Sequence, residues 1–291
     1  WIIVLVFAPV VGLVFYFFFG QNLSKRRIIS RRTRRRITMQ LEEARDTGRP
    51  EIPEEHRRLA ALLYSTTHSV ALYGSRITPY TDGRSKMEAL LAEIARAKHH
   101  IHMQYYIFCD DETGRRLRDA LVEKVRQGVE VRILYDDVGC SGVKKDFFEG
   151  MRREGIEVFS FLHVKFPLFT SKVNYRNHRK IAVIDGRVGF IGGMNVADRY
   201  VRGTGWGSWR DTHFRIEGSG AAGLQVSFLS DWSATTKQHI TGAAYFPQSE
   251  RHAENILQIV PSGPFGQWRA LLQADSYAVS NARRRIWIQT P

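Results

Sequence analysis

The fold the sequence predicts is an α/β sandwich with parallel strand neighbours, and three observations lead to it. Strand-like and helix-like periods alternate from residue 87 to residue 161, the pattern of helices laid over a sheet. A hairpin follows, its apolar, β-branched runs 181–184 and 188–191 joined at Asp185-Gly186, a strong two-residue turn signal. Ahead of both lies an apolar run over 1–20 without a charged side chain. As one helix it would rise about 30 Å, the depth of a bilayer's hydrocarbon core.

The elements are expected in this order. Residues 1–20 read as a transmembrane helix: no basic region precedes the run and no small-residue cleavage site follows it, as a signal peptide would require. The start at Trp1 rather than methionine leads to the expectation of processed chain upstream. Lys25, Arg26, Arg27, Arg31, Arg32, Arg34, Arg35 and Arg36 come next with no acid among them. Such a flank stays in the cytoplasm and attracts anionic headgroups. A nucleic-acid-binding arm is the rival reading of the cluster, but its place against an apolar 20-mer favours the bilayer. The net charge is +14. Setting those eight aside leaves +6, an ordinary balance for a globular domain.

Residues 21–66 form a basic juxtamembrane segment and linker, closing in a short amphipathic helix near 54–63. Helices are then expected at 87–97, 115–127 and 144–154, alternating with strands at 101–108, 129–135 and 156–161. After the hairpin come a strand at 209–216, a helix at 223–232, a short strand at 257–260, a helix at 267–280 and a last strand at 285–289. Ala97-Lys98-His99-His100-Ile101-His102-Met103-Gln104 matches Ala282-Arg283-Arg284-Arg285-Ile286-Trp287-Ile288-Gln289 in pattern, each after a helix containing Ala-Leu-Leu. The match predicts an internal repeat: a first half-domain over 67–250 and the start of a truncated second one over 251–291.

The chemistry gathers in the hairpin. His178 and Lys180 are two apart on a strand, so they share a face, roughly 7 Å apart at their bases. If Ile184 faces Arg187, His178 falls opposite Gly193 and Lys180 opposite Ile191. Asp185 has the other parity and sits in the turn, where it holds the hairpin together. An imidazole offers a nucleophile near neutral pH, a lysine offers fixed charge for phosphate oxygens, and Gly192-Gly193 lets backbone approach. Asn195 adds an amide that can donate hydrogen bonds.

The whole spacing, His-x-Lys-x4-Asp-x6-Gly-Gly-x-Asn over 178–195, resembles the HKD motif of the phospholipase D superfamily. Beyond the motif, Tyr105-Tyr106-Ile107-Phe108, Tyr135-Asp136-Asp137-Val138-Gly139, Trp209-Arg210-Asp211-Thr212-His213, Leu224-Gln225 with Asp231-Trp232, and Ile288-Gln289-Thr290-Pro291 make the chain similar throughout to bacterial cardiolipin synthases of this superfamily. The resemblance implies an α/β/α sandwich with a mixed sheet and a site built by two HKD motifs, of which one is present here. It also implies a membrane-bound phosphatidyltransferase that joins two phosphatidylglycerol molecules and releases glycerol. His178 would be the nucleophile, Lys180, Asn195 and Gly193 would bind the phosphate, and Asp185 would complete the catalytic motif. Asp211 would orient the imidazole; a salt bridge to Arg210 is the alternative for that carboxylate. Gln104 stands where relatives often carry an acid.

No cofactor is expected. His99, His100 and His102 lack a Cys or acidic ligand at metal spacing, so no metal is expected either. Two cysteines, Cys109 and Cys140, read as reduced thiols. Asp110, Asp111, Asp136 and Asp137 read as helix caps or cleft walls. The expected partners are anionic phospholipid and the bilayer of a bacterial inner membrane, with the catalytic part on the cytoplasmic side, no nucleic acid, and a homo-oligomer allowed. The alternatives are another phospholipase D-type activity, lipid hydrolase or nuclease, or a non-catalytic membrane-anchored scaffold.

Overall fold

A computed structural model describes residues 2–19, 36–41, 51–161, 176–248, 250–263 and 269–288. The arginine cluster over 25–35 and residues 289–291 lie outside the described residues.

Seven strands make one mixed sheet. They are β2 (Arg76–Asp82), β3 (His100–Tyr105), β4 (Glu130–Asp136), β5 (Glu157–Phe161), β6 (Lys180–Ile184), β7 (Val188–Gly192) and β8 (Arg210–Glu217), in the order β2-β8-β7-β6-β3-β4-β5. The pairs β3–β4 and β4–β5 are parallel, as the helix crossovers between them require. The other four pairs are antiparallel. Two further short strands, β1 (Leu72–Tyr73) and β9 (Ile256–Leu257), pair antiparallel beside it.

Helices cover both faces. On one lie α4 (Gly83–Arg96), α5 (Glu112–Arg126) and α6 (Lys145–Arg153), closing a core that includes Leu90, Ile94, Ile101, Met103, Leu117 and Phe190. Their amphipathic spacing explains the placement: α6, for example, buries Phe147, Phe148 and Met151 and exposes its charged residues. Asp82 and Asp111 start α4 and α5, their carboxylates accepting from Ser85 N and Gly114 N. The opposite face carries α8 (Ser219–Thr236), which is buried nearly all round and packs Leu224, Phe228 and Trp232 inward. An earlier helix, α3 (Glu54–Thr67), precedes the strands, α7 (Asp198–Arg202) follows the hairpin, and α9 (Ala270–Asn281) comes after β9.

The expected order of elements from 54 to 281 is present, with four corrections. The apolar run is two short helices, α1 (Ile2–Phe7) and α2 (Pro9–Phe19), not one. Pro9 supplies no N–H to the helix ladder, and the chain breaks at Ala8. No helix among the described residues is long and apolar enough to cross a membrane. The hairpin register differs by one: Ile184 faces Val188, not Arg187. Asp185 and Gly186 both take positive φ, 52° and 65°, and Arg187 N closes the turn on Ile184 O at 3.0 Å; with Ile184 paired to Val188, three residues separate the strands. β2 was not expected. It is a half-exposed edge strand with Pro79 in it, a combination that reads as loop and is tolerated only at a sheet edge. Finally, residues 285–288 form no strand; they are exposed and pair with nothing among the described residues.

Candidate functional site

The register brings the motif to one end and one face of the sheet. Tyr105 pairs with Tyr135 on one side and Lys180 on the other. Carrying the hairpin register one step further sets Lys180 beside Gly192, which pairs with His213, which pairs with Tyr80. Side chains directly opposite in neighbouring strands share a face, so Tyr105, Lys180 and His213 form a row beneath α4. His178 and Asp211 have the same parity and continue it toward the sheet's end.

His178 is exposed, while Lys180 is 3% exposed. Lys180 Nζ lies 3.0 Å from His178 Nδ1 and 2.7 Å from the His178 carbonyl oxygen. The ring of Tyr106 roofs both: its centroid is 4.6 Å from the His178 ring and 5.3 Å from Lys180 Nζ. Partial burial, then the neighbouring Lys180 charge, hold the imidazole below the ordinary histidine range, with Asp136 opposing them. Burial pulls the Lys180 ammonium down to about 8, against the pull of Asp211. The site thus presents a neutral imidazole beside a readily modulated cation.

Asp211 takes a different place from the one expected. Its carboxylate accepts from Thr212 N at 2.6 Å and packs on Gly193, where a β-carbon would lie 2.5 Å from the carboxylate carbon. It makes no hydrogen bond to His178; its charge acts on Lys180 instead. No ion pair joins it to Arg210 either. Gly193 serves by having no side chain and donates to Thr212 O at 2.9 Å. Asn195 is 3% exposed. Its Oδ1 accepts from Ile107 N at 3.0 Å and its Nδ2 donates to Tyr200 Oη at 2.7 Å, which spends most of the amide on bracing the loop. Asp185 is at the far end of β6 from His178. Its two oxygens accept from Lys98 N, His99 N and His100 N at 2.8, 2.8 and 2.9 Å, so its part is architectural.

Of the four aspartates read as caps or cleft walls, Asp111 caps α5, while Asp110 pairs with Arg115. Asp111 also accepts from Asp198 N at 2.7 Å. Asp136 accepts from Val138 N, Gly139 N and Asn177 N. Among the described residues no three His, Cys, Asp or Glu side chains are grouped to hold a metal, and His100 and His102 are spent on Gln225.

Three features were not found from sequence. Asp231 accepts from Gln104, Asn177 and Arg179 on the α8 side, fixing the residues that flank His178; this is also where Gln104 points, away from the row containing Lys180. Lys86 of α4 is fully buried, reaching Tyr105 Oη at 3.1 Å, and burial pulls it to about 7. His213 is also fully buried with neither ring nitrogen hydrogen-bonded. Burial, then Lys86 and Lys180, drive it down to about 2. Spacing gives no signal for contacts this distant in sequence, although Asp136, Asp231 and His213 all fall inside stretches that carried the family resemblance.

A mixed α/β sandwich that sets a histidine and a lysine two apart at the sheet end, beside a glycine-backed carboxylate, agrees with the arrangement that the resemblance to phospholipase D-like proteins implies for one half of a site. Residues 90–206 match the family model described as "Cardiolipin synthase, PLD-like domain". It is 36% identical over 303 aligned residues to the major cardiolipin synthase ClsA of Bacillus subtilis (strain 168), and 36% identical to a cardiolipin synthase of Listeria innocua. Both matches cover 100% of this chain; the chain spans 63% of the length of each relative. Among solved structures, it resembles phosphatidylserine synthase of Haemophilus influenzae Rd KW20 (TM-score 0.47, 17% identity, 62% of this chain and 41% of that one). It also resembles Nuc of Salmonella typhimurium, a phospholipase D family member (TM-score 0.40, 20% identity, 58% of this chain and 97% of that one).

Proposed function

We propose that this chain supplies the phosphohistidine half of a bacterial, membrane-bound phosphatidyltransferase that makes cardiolipin from two molecules of phosphatidylglycerol. The observation that carries the reading is the pairing of an exposed, neutral-leaning His178 with the buried Lys180, 3.0 Å away. The relatives named cardiolipin synthase, similar along the whole chain, support phosphatidylglycerol as the substrate.

In the first step a bare imidazole nitrogen of His178 attacks the phosphorus of one phosphatidylglycerol. A phosphorus–nitrogen bond forms, the bond to the terminal glycerol oxygen breaks, and glycerol leaves after taking a proton. In the second step the hydroxyl of another phosphatidylglycerol gives up a proton and attacks the same phosphorus, releasing His178 and completing cardiolipin. The proton donor and acceptor is the histidine of a second motif, held by a second half-domain or a second copy. Lys180, with the free N–H of Asn195, stabilises the nonbridging oxygens, whose charge grows in the transition state; Gly193, its N–H given to Thr212 and its open side filled by the Asp211 carboxylate, serves to seat Asp211 rather than to bind phosphate. Asp185 acts by holding the hairpin in register. The apolar segment over 1–20 and the arginines after it attach the enzyme to the membrane with its catalytic part in the cytoplasm.

The test is an acid quench of the full-length protein during turnover of phosphatidylglycerol labelled in its phosphate. Wild-type protein should carry label on histidine, and His178→Ala should carry none. Label retained by His178→Ala would place the nucleophile elsewhere. Phosphatidic acid as the main product, in place of cardiolipin, would make the enzyme a hydrolase.

A further inference from the structure

The connection from α7 to β8, with the end of α7 itself, is rich in arginine and aromatic side chains. From Arg199 to Arg210 it reads Arg-Tyr-Val-Arg-Gly-Thr-Gly-Trp-Gly-Ser-Trp-Arg: three arginines, two tryptophans, a tyrosine and no acid. Trp206 is 101% exposed, so nothing in the described structure touches its faces, and Trp209 is 38% exposed. Held wholly in water, the Trp206 indole buries none of its apolar area against the fold and has that area to offer to a surface outside it.

The tip is rigidly made. Thr204 and Gly207 exchange both backbone hydrogen bonds, at 2.8 and 3.0 Å, and Trp206 N donates to Thr204 Oγ1 at 3.3 Å. Gly203 and Gly207 take φ of 82° and 132°, conformations that side chains resist. A β-carbon at residue 203 would strike the Gly207 backbone. At its base, Trp209 packs on Tyr200 with ring centroids 5.0 Å apart, and Arg199 covers the same tyrosine at 5.4 Å. Arg202 is tied to Glu112, which leaves Arg199 and the exposed Arg210 as the loop's free positive charge. The loop is also the segment that joins the motif to Asp211, since it runs from just beyond Asn195 to the first residues of β8.

We infer that this loop is a membrane-docking element: Trp206 enters the headgroup layer of an anionic phospholipid bilayer, and Arg199 and Arg210 rest on its phosphates. An amphipathic indole seeks that layer, and juxtaposed arginine favours anionic lipid. The loop then seats the mouth of the site on the lipid surface, so that a diester's headgroup reaches His178 while its acyl chains stay in the bilayer. The inference deepens the reading of the site as one acting on lipid phosphodiesters. Its test reads contact with lipid rather than turnover, so loss of activity does not decide it.

The apolar segment 2–19 would hold the chain on vesicles by itself, so total binding is not the measurement. The chain is instead reconstituted with vesicles of phosphatidylcholine and phosphatidylglycerol, 7:3, containing phosphatidylcholine brominated either near the ester or near the chain end. Tryptophan emission of the wild type minus that of Trp206→Phe isolates the loop's indole. That difference emission should fall at least twofold more with the shallow bromines than with the deep ones. The double variant Arg199→Gln/Arg210→Gln should weaken the quenching, and replacing phosphatidylglycerol by phosphatidylcholine should do the same. Difference emission indifferent to both bromine positions would overturn the inference. So would a Trp206→Phe chain that changes its oligomeric state in sedimentation while its lipid quenching stays the same, since the indole's receiver would then be protein.

Discussion

Lys180 Nζ stands 3.0 Å from His178 Nδ1, and the contact fixes which nitrogen of the imidazole is bare. A charged lysine must donate, so Nδ1 accepts and the ring's own proton sits on Nε2. Attack by Nε2 needs the opposite tautomer, and an anionic phosphate drawing Nζ away from the ring would release it. Lys180→Met should therefore raise the His178 pKa toward the ordinary histidine value, because the lysine's charge is the second cause of its depression after burial. An imidazole ¹⁵N titration reads this directly, and an unchanged or lower value would refute the coupling. Loss of the cation from a developing oxyanion should also slow transfer roughly a hundredfold, on the order of 3 kcal/mol. In the unmodified enzyme Lys180 deprotonates as pH passes about 8. Its charge is lost there, and activity in the free enzyme should fall on that limb.

Gly193→Ala tests the seat of Asp211. The new methyl would occupy the carboxylate's position, and Asp211 would have to move from its place near Lys180. Asp211 raises the Lys180 pKa, so its displacement should lower that pKa and shift the alkaline limb of activity to lower pH. The comparison variant is Gly150→Ala, on α6 with open space around its α-carbon. It should leave the limb in place and gain about 1 kcal/mol in stability from helix propensity. A Gly193→Ala enzyme with the wild-type profile would show that Asp211 does not set the Lys180 charge.

The site was legible where it is local and opaque where it is built by packing. His178, Lys180 and the Asp185 turn lie within eight residues, so strand parity alone puts the first two on one face and sends the third to the other end. Register was missed by one because a two-residue turn and a three-residue connection share the Asp-Gly signal; the pairing of Ile184 with Val188 rather than Arg187 distinguishes them. Asp211 was placed by resemblance beside the imidazole, but its position depends on pairing of β7 with β8 and on the space at Gly193. Lys86 reads as a solvent residue near the start of an amphipathic helix. Its burial follows from how α4 lies across Tyr105 and β8, and single-helix periodicity does not record that. Pro9 was visible, but an apolar 20-mer reads as one span unless the lost N–H is weighed against its length.

Asp185 offers a case where stability and chemistry separate. Its carboxylate accepts three backbone N–H groups at the start of β3, and its positive φ is one that Asp and Asn tolerate best. Asp185→Ala removes all three acceptor contacts and adds strain, which should cost about 2–4 kcal/mol in unfolding free energy. Asp185→Asn keeps the turn but loses charge and one acceptor atom, and should cost roughly half as much. In both variants the molecules that remain folded should keep the wild-type pH dependence of transfer, because the side chain lies away from His178. A changed His178 titration in Asp185→Asn would show a direct electrostatic role and contradict the architectural one.

Lys86 is the sharpest test of the row beneath α4. It is fully buried beside Tyr105 and near His213, with only a phenol oxygen as partner, and burial alone brings it from 10.5 to about 7. An amine whose folded pKa is depressed binds its proton more tightly in the unfolded chain. The penalty is therefore full below pH 7, diminishes as pH rises from 7 toward 10.5, and vanishes above that. At neutral pH it is on the order of 5 kcal/mol, from about 1.4 kcal/mol per pKa unit. Lys86→Met keeps the length and removes the charge, at the cost of an unpaired Tyr105 hydroxyl of about 1–3 kcal/mol. The variant should thus be the more stable at pH 6.5, by roughly 2–4 kcal/mol, and should become the less stable by pH 10, where the charge penalty is nearly gone and the two curves have crossed. Urea unfolding of both chains in mild detergent across that range measures the difference. A gap that does not change with pH would mean Lys86 keeps its proton in the fold, satisfied by a partner other than Tyr105, and would remove the case for a depressed amine behind Lys180.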